Sequence, residues 1–438
     1  MTQHLVRADP LRVRDRLAGV VDPGAMSIDE GVTVTSPATD TETADLLRVA
    51  GEEGWRVLPR GAGIGPWAFH VDDAHDERFP RTIEAPDLII SSKDMTEIVI
   101  HEPGNLTVCV RAGVTLGAIQ SAVSAERQWL ALDPPGGSEI TLGGVVATGV
   151  AGPLRAQYGR PRDHILGLTL VDGKGRVLSL GGGVVKNVAG FDLVRLAAGS
   201  SGALGMITQI TLRLHPRPEE DRTLIWRRGG LVSAWELGRD LATLPIPLAA
   251  AELLAGGWPS PLGGGGVRIL LRLTGSERAV QRMVDIVTET GGAPDDDLTG
   301  ELSMAATRAV SEGDGAGPVS FRLHSLPSRS GDILSSLQEI PFERLGLHLL
   351  GGTFRGTLPG GMEVTRLFPL AETVREVGGT FSMTRGRDNS TATGIEVRQP
   401  TSLPKARLRS DIVRGFDPSG ILPGAWREDW LGSGADQA

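Results

Sequence analysis

Thr141-Leu-Gly-Gly-Val-Val-Ala-Thr-Gly-Val-Ala-Gly-Pro153 carries almost no bulky side chain. A core strand would hold larger residues, and a plain loop would be more polar. Small residues instead let backbone pass close to a flat ligand or to another stretch of chain. Two further tracts repeat the theme. Upstream, Arg60-Gly-Ala-Gly-Ile-Gly65 follows a predicted strand over Arg56–Pro59. Downstream, Lys186-Asn-Val-Ala-Gly-Phe-Asp192 leads to Gly199-Ser-Ser-Gly-Ala-Leu-Gly-Met-Ile207. Backbone-dominated tracts gathered in one half of the chain point to an extended cofactor lying between subdomains.

The first glycine loop is not a Rossmann turn. The GxGxxG pattern needs glycine at 66, which is Pro66, and the loop runs into Trp67 and a polar stretch instead of a helix. A Walker A loop fails as well, since Gly167 and Gly173 are too far apart and Gly175 follows Lys174 where Ser or Thr is required. Successive glycines can instead turn consecutive N–H groups inward into a nest that binds an anion, and a diphosphate suits it because it needs many donors at close range. Arg60 adds positive charge. An ordinary glycine-rich turn is the alternative for this tract taken alone, and the Thr141–Pro153 tract decides against it.

Composition narrows the chemistry. The chain has 438 residues, a formal charge of −9 and 60 glycines without a G-X-Y period. The negative charge argues against nucleic acid or an anionic membrane as a main partner. Cys109 is the single cysteine. It excludes an internal disulfide, an iron–sulfur cluster and a CxxC redox pair, and its apolar neighbours predict a buried packing role. Electron transfer would therefore need a bound organic cofactor, with any cluster relay on another chain. Met1–Arg16 has no apolar signal core, and no stretch reaches about 18 apolar residues. The expected compartment is the cytoplasm, with membrane association only through partners.

The order of elements predicts an α+β chain of several parts. Residues 1–30 read as a helical lead-in. Short strands and helices alternate over 31–217, among them a helix at Leu116–Glu126 capped by Thr115 and a hairpin of His164–Val171 with Val177–Leu180. Residues 218–395 read as an antiparallel sheet with helices on one face, and 396–438 as a C-terminal segment. Gly291–Asp297 reads as a turn, and no internal repeat of short period is visible.

These residues resemble the flavin-binding domain of the vanillyl-alcohol oxidase/p-cresol methylhydroxylase family, and within it the FAD-binding subunit of glycolate oxidase. The resembling pieces include Leu58-Pro-Arg-Gly-Ala-Gly63, Glu102-Pro-Gly-Asn-Leu-Thr-Val108, Thr141-Leu-Gly-Gly144, Arg162-Asp163, Val185-Lys-Asn-Val-Ala-Gly190 and Phe416-Asp-Pro-Ser-Gly420. The resemblance is dense over residues 56–216 and the C-terminal segment. It implies two α+β subdomains clasping FAD over 31–217, a smaller ferredoxin-like cap over 218–395, and a return of 396–438 to the FAD domain. It implies that Arg60, Gly61, Ala62, Gly63, Ile64 and Gly65 cradle the pyrophosphate through backbone N–H groups. Pro134, Pro135, Thr141, Leu142, Gly143 and Gly144 would line the ribityl and flavin side. Ala147, Thr148, Gly152 and Pro153 would follow the diphosphate and adenosine, and Ile207 would meet the adenine.

The sequence departs from the family at informative places. Position 64 is Ile where the family usually has Thr or Ser, and no histidine stands in the loop where covalent members attach FAD, so dissociable FAD is implied. His70 and His75 are expected to be solvated, not metal ligands, and the tail lacks the family's terminal arginine. Oxidation of a 2-hydroxy acid needs a cation for the carboxylate, a base for the hydroxyl proton and an electron acceptor over the α-carbon. Catalytic relatives carry a His-x-His metal pair in the cap, and none occurs here. His324 and His348 read as core histidines, Arg155, Tyr158 and Arg162 as substrate-side candidates, and no base is assigned. The implied role is the FAD-binding subunit of a glycolate (2-hydroxy acid) oxidase complex, passing electrons to a second flavoprotein and an iron–sulfur subunit. The alternative is a non-catalytic flavin-carrying accessory subunit.

Overall fold

A computed structural model describes residues 7–63, 86–182, 191–262, 264–312, 319–338, 340–360, 362, 364–385, 394–397 and 403–423. Two small sheets form the first half. In one, Met26–Asp29, Val32–Thr35, Leu88–Ser91 and Val57–Arg60 lie side by side in that order. The last three are parallel, and the helix Asp40–Glu53 packs against them. Thr39 starts that helix with a reciprocal capping box to Glu42, and Gly54 ends it in the left-handed conformation. Its Leu46, Leu47 and Ala50 bury against Val57, Leu88 and Ile90. The expected lead-in over 1–30 needs a correction. Pro10–Leu17 is helical, but Met26–Asp29 is a strand, because its pairing with Val32–Thr35 satisfies backbone that a helix there would leave at the edge.

The other small sheet is antiparallel, in the order Ile98–Glu102, Thr107–Arg111, Met206–Arg213, Ile165–Val171, Val177–Gly181. The helix Leu116–Ser124, capped by Thr115, and the short helix Leu142–Thr148 cover one face with Ile119, Val123, Val145 and Val146. Cys109 is buried in the Thr107–Arg111 strand. The end of the chain closes this half. The helix Leu403–Phe416 buries Val413 against the second sheet, and Ile421 and Leu422 enter the core of the first, with the Val57 N–H donating to the Ile421 carbonyl at 2.7 Å.

Residues 220–397 form a nine-stranded antiparallel sheet. Its chain order is strand, helix, strand, strand, helix, strand, twice over. Glu220–Arg228, Ala250–Gly256, Val267–Gly275 and Asp296–Thr299 make the first unit, with helices Leu231–Ala242 and Glu277–Gly291. Val319–His324, Arg344–His348, Thr353–Leu358 and Thr380–Arg385 make the second, with helices Ser330–Leu337 and Phe368–Glu376. In each unit the fourth strand lies beside the first, the first beside the third and the third beside the second, and the units join edge to edge where Ala250–Gly256 pairs with Arg344–His348. The sequence shows no period because the repeat is one of topology. The segment read as a turn at Gly291–Asp297 enters the edge strand Asp296–Thr299, whose acids pair with Arg222 and Arg227.

The sheet has two unlike faces. Alternate residues point to opposite sides of a strand. Leu224, Trp226, Ile269, Leu271, Phe321, Leu347 and Phe354 meet the four unit helices in one large core. The opposite face carries Asp221, Glu252, Arg272, Arg322, His324, His348, Thr353 and Arg355. Only its first half is roofed by a helix among the described residues, Gly300–Glu312, through Ala306, Ala309 and Val310 on Ile225 and Leu270. No helix among the described residues is long and apolar enough to cross a membrane.

Candidate functional site

The three glycine tracts converge. A Cβ on Gly61 would lie 2.2 Å from Thr141 Oγ1, one on Gly202 3.2 Å from the Pro59 ring, and one on Gly149 3.3 Å from the Gly199 Cα. The Gly199 and Ser201 N–H groups donate to the Val146 and Ala147 carbonyls at 2.9 and 2.7 Å, so the third tract is strapped to the Leu142–Thr148 helix by backbone alone. Gly63, Gly149, Gly199 and Gly202 all have positive φ, and Ser201 shares it despite its side chain. Among the described residues, the N–H groups of Gly61, Ala62 and Gly63 donate to no protein acceptor. The loop is open to solvent at Ala62 and Gly63. Such a run of consecutive donors without a partner among the described residues fits a diphosphate.

The individual residues divide in role. Arg60 reaches Asp29 at 3.5 Å, so its charge is partly countered. Thr141 Oγ1 caps the helix by accepting from the Gly144 N–H, and the Thr148 hydroxyl donates back to the Gly144 carbonyl, so Thr141 retains its O–H donor and Thr148 its lone pairs. Leu142 and Gly143 are buried, and Gly143 is held against Ala112. Gly152 packs on Asp133, whose carbonyl would be 1.9 Å from an added Cβ, which puts Gly152 and Pro153 beside Pro134 and Pro135 at the cap end. Ile207 is buried in a strand opposite Leu170. Ile64, Gly65, His70, His75 and Lys186–Gly190 lie outside the described residues.

On the polar face of the nine-stranded sheet, a network that is buried except at the exposed His324 joins the two halves of the chain. Glu252, His348, Thr353 and His324 stand in one row across four adjacent strands. Glu252 accepts from His348 Nδ1 at 2.9 Å and from Arg355 at 2.6 Å. Burial alone would raise the Glu252 carboxyl, but the Arg355 guanidinium and the His348 ring together outweigh it and hold the group down to about 2. Burial pushes His348 down, so the imidazole is neutral near pH 7 and Arg355 carries the countercharge. With Glu252 ionised, His348 must place its proton on Nδ1, which leaves the Nε2 lone pair as an acceptor. Thr353 Oγ1 lies 3.0 Å from His324 Nδ1 and accepts from Arg155 at 2.8 Å. Asp133 keeps a partly open surface, yet burial pushes its carboxyl up to about 8 against the opposing pull of Arg272.

The structure therefore sorts the candidates. Arg155 and Tyr158 reach the nine-stranded sheet, the latter through a 3.0 Å hydrogen bond between its hydroxyl and Thr274. Arg162 is exposed beside Asp163 and takes no part in the network. His348 is buried, as expected of a core histidine, whereas His324 is exposed, and both lie outside the apolar core. Their apolar neighbours Leu323 and Leu347 face the helices, and the histidines face the other way. Asp133, Glu252, Arg272 and Arg355 were not singled out by sequence. Strict alternation in Val319-Ser-Phe-Arg-Leu-His324 and Arg344-Leu-Gly-Leu-His348 was the available signal. Among the described residues no group of three or more His, Cys, Asp or Glu could hold a metal ion.

Residues 33–181 match the family described as "FAD binding domain". Over 128 residues the chain is 44% identical to glycolate oxidase subunit GlcE of Escherichia coli (strain K12), a match covering 29% of this chain and 37% of that protein. It is 32% identical over 221 residues to D-lactate dehydrogenase of Archaeoglobus fulgidus, covering 50% of this chain and 47% of that one. It is 28% identical over 221 residues to glycolate oxidase subunit GlcD of Bacillus subtilis (strain 168), covering 50% and 45%. Each match spans less than half the length of the relative. An alkyldihydroxyacetonephosphate synthase structure superposes with a TM-score of 0.65 at 14% identity, over 96% of this chain and 86% of that one, which shows a shared fold.

Proposed function

We propose, for a chain that carries an FAD-binding domain of the vanillyl-alcohol oxidase/p-cresol methylhydroxylase family, that it oxidises a small 2-hydroxy acid and passes the electrons to a partner chain. The observation that carries this reading is the placement of a charged, buried sheet face at the end of the glycine cradle. Bound FAD would supply two-electron acceptance. The N–H groups of Gly61, Ala62 and Gly63 would hold its diphosphate. Pro134 and Pro135 would line the flavin between the cradle and the cap. No residue in the described cradle offers a covalent attachment of the kind the family uses, so the FAD is read as dissociable. We read the two units of the cap sheet as ferredoxin-like. The relatives named as glycolate oxidase subunits support a complex, with a second flavoprotein and an iron–sulfur chain as the expected partners.

The test is the visible spectrum of the purified protein, kept anaerobic, before and after glycolate or D-lactate. A yellow protein that bleaches is the expected result. A yellow protein that neither substrate bleaches favours the accessory role. A protein that stays colourless after added FAD overturns the flavin assignment.

A further inference from the structure

Arg155 projects from the FAD-binding half onto the cap sheet, and its chemistry there is incomplete. Two arginines on the same face each have a carboxylate: Arg272 has Asp221 and Arg355 has Glu252. Arg155 donates to the neutral Thr353 hydroxyl, and among the described residues no carboxylate lies within ion-pair distance of it. Burial lowers its pKa to about 10, which still leaves it charged at neutral pH. A guanidinium withdrawn from water favours an anion of planar, bidentate shape.

His348 borders the same point. A Cβ added to Gly351 would lie 2.8 Å from Arg155 Nη2, 2.6 Å from His348 Cδ2 and 3.3 Å from His348 Nε2. The Glu252 bond fixes the imidazole from behind, and its Cδ2–Nε2 edge and Arg155 Nη2, which donates to Thr353, border the same Gly351. A group that is both carboxylate and hydroxyl on adjacent carbons matches this pair, whereas a simple anion matches only half of it.

We propose that Arg155 and the Glu252-backed His348 form a binding site for a 2-hydroxycarboxylate, with Arg155 on the carboxylate and His348 Nε2 accepting the hydrogen bond of the hydroxyl. This rests on the flavin reading above and names the residues of its substrate site. Glu252 acts as a positioning residue, since it sets the tautomer and orientation of His348 without reaching the ligand.

The test is calorimetric binding of glycolate and of acetate, which lacks the hydroxyl, to the FAD-loaded protein, with the flavin-to-protein ratio measured for every variant. Wild type is expected to prefer glycolate. Arg155→Met should weaken both ligands by about tenfold or more while flavin stays stoichiometric. His348→Asn keeps a donor for Glu252 and removes the distal acceptor. It should bring glycolate down to the affinity of acetate and leave acetate within about twofold. If Arg155→Met loses its flavin, Gly351→Ala carries the same test, because its methyl crowds both groups without altering charge. Fully flavinated variants that bind glycolate as wild type does would overturn the site. So would a flavin-loaded wild type that binds glycolate no better than acetate, and the FAD reading would survive either result. A protein that takes up no FAD overturns the cofactor reading and this site with it.

Discussion

The two units of the cap sheet share a topology and differ in what covers their polar face. In the first, Arg272 grips both Asp221 oxygens at 2.9 and 2.5 Å and donates to Thr307 at 2.6 Å. Ser303 donates to Asp221 at 2.5 Å and meets Thr223 at 2.7 Å, and all of this lies under the helix Gly300–Glu312. At the seam and in the second unit, the row of Glu252, His348, Thr353 and His324 is met instead by Arg155 from the other half of the chain, which bonds Thr353. The third strand of each unit carries an arginine on the polar face, Arg272 or Arg355, so position in the unit does not decide its use. Cover decides it. A sealed network satisfied on every side rigidifies a domain, whereas one left with a lone pair and an unmatched guanidinium can take a ligand.

The widest-reaching change leaves both units alone. Gly61→Val drives a side chain into Thr141 Oγ1, so the loop and the Leu142–Thr148 helix must separate. We expect nearly complete loss of bound FAD by absorbance, with the cap's melting behaviour preserved. Full flavin retention would show that the cradle is not where the cofactor sits. The cause differs from simple filling of the nest, because the Gly61 side-chain direction points at the helix.

Next comes the sealed unit. Arg272→Met leaves Asp221 buried and without its counterion, at a cost of about 3–5 kcal/mol seen as a lower urea midpoint of the cap transition. An unchanged midpoint would break the contrast between a structural and a functional half.

What the sequence could disclose follows from where the forces act. The glycine tracts were legible because positive φ and close backbone contact demand glycine wherever they occur. The Leu142–Thr148 helix was not, since Gly143, Gly144, Val145 and Val146 are poor helix formers. It forms because Gly143 fits against Ala112 and the two valines fill the core of the second sheet. Asp296 and Asp297 disguised an edge strand, because acids are poor strand formers until Arg222 and Arg227 stand opposite. The apolar neighbours of His348 disclosed its burial but not its polar face, since a strand turns neighbours away from each other. Its pairing with Glu252, and that of Arg155 with Thr353, joins residues far apart in the chain and leaves no spacing to read.

A pH series sharpens the contrast through Asp133, which lies between the sealed and open regions. Its folded pKa of about 8 stands above its ordinary value of 3.8. The folded state therefore holds a proton that the unfolded state has released. That stabilisation is complete below pH 4 and is lost as pH rises toward 8. Glu252 and His348 have lowered values, so they act in the opposite sense. Their contribution is present above the unfolded pKa of each and is lost on acidification. Asp133→Asn should flatten the fall in melting temperature of the flavin-free protein between pH 5 and pH 8. A slope equal to that of wild type would remove Asp133 from the boundary.

The smallest effect separates packing from bonding where the sealed unit docks. Tyr158 gives its hydroxyl to Thr274, and its ring stands edge-on to Trp129 at 5.3 Å and to His215 at 5.1 Å. Arg272 in turn lies over Trp129 at 5.9 Å. Tyr158→Phe keeps every ring contact and removes one hydrogen bond. Thr274 still donates to Gln157 Oε1, so no buried donor is left unsatisfied. The expected cost is therefore about 1 kcal/mol or less, with flavin content and ligand affinity unchanged. A loss several times larger would mean that this one bond holds the sealed unit against the FAD domain. A fall in glycolate affinity would mean that the two regions of the polar face are coupled through the Arg155–Tyr158 turn.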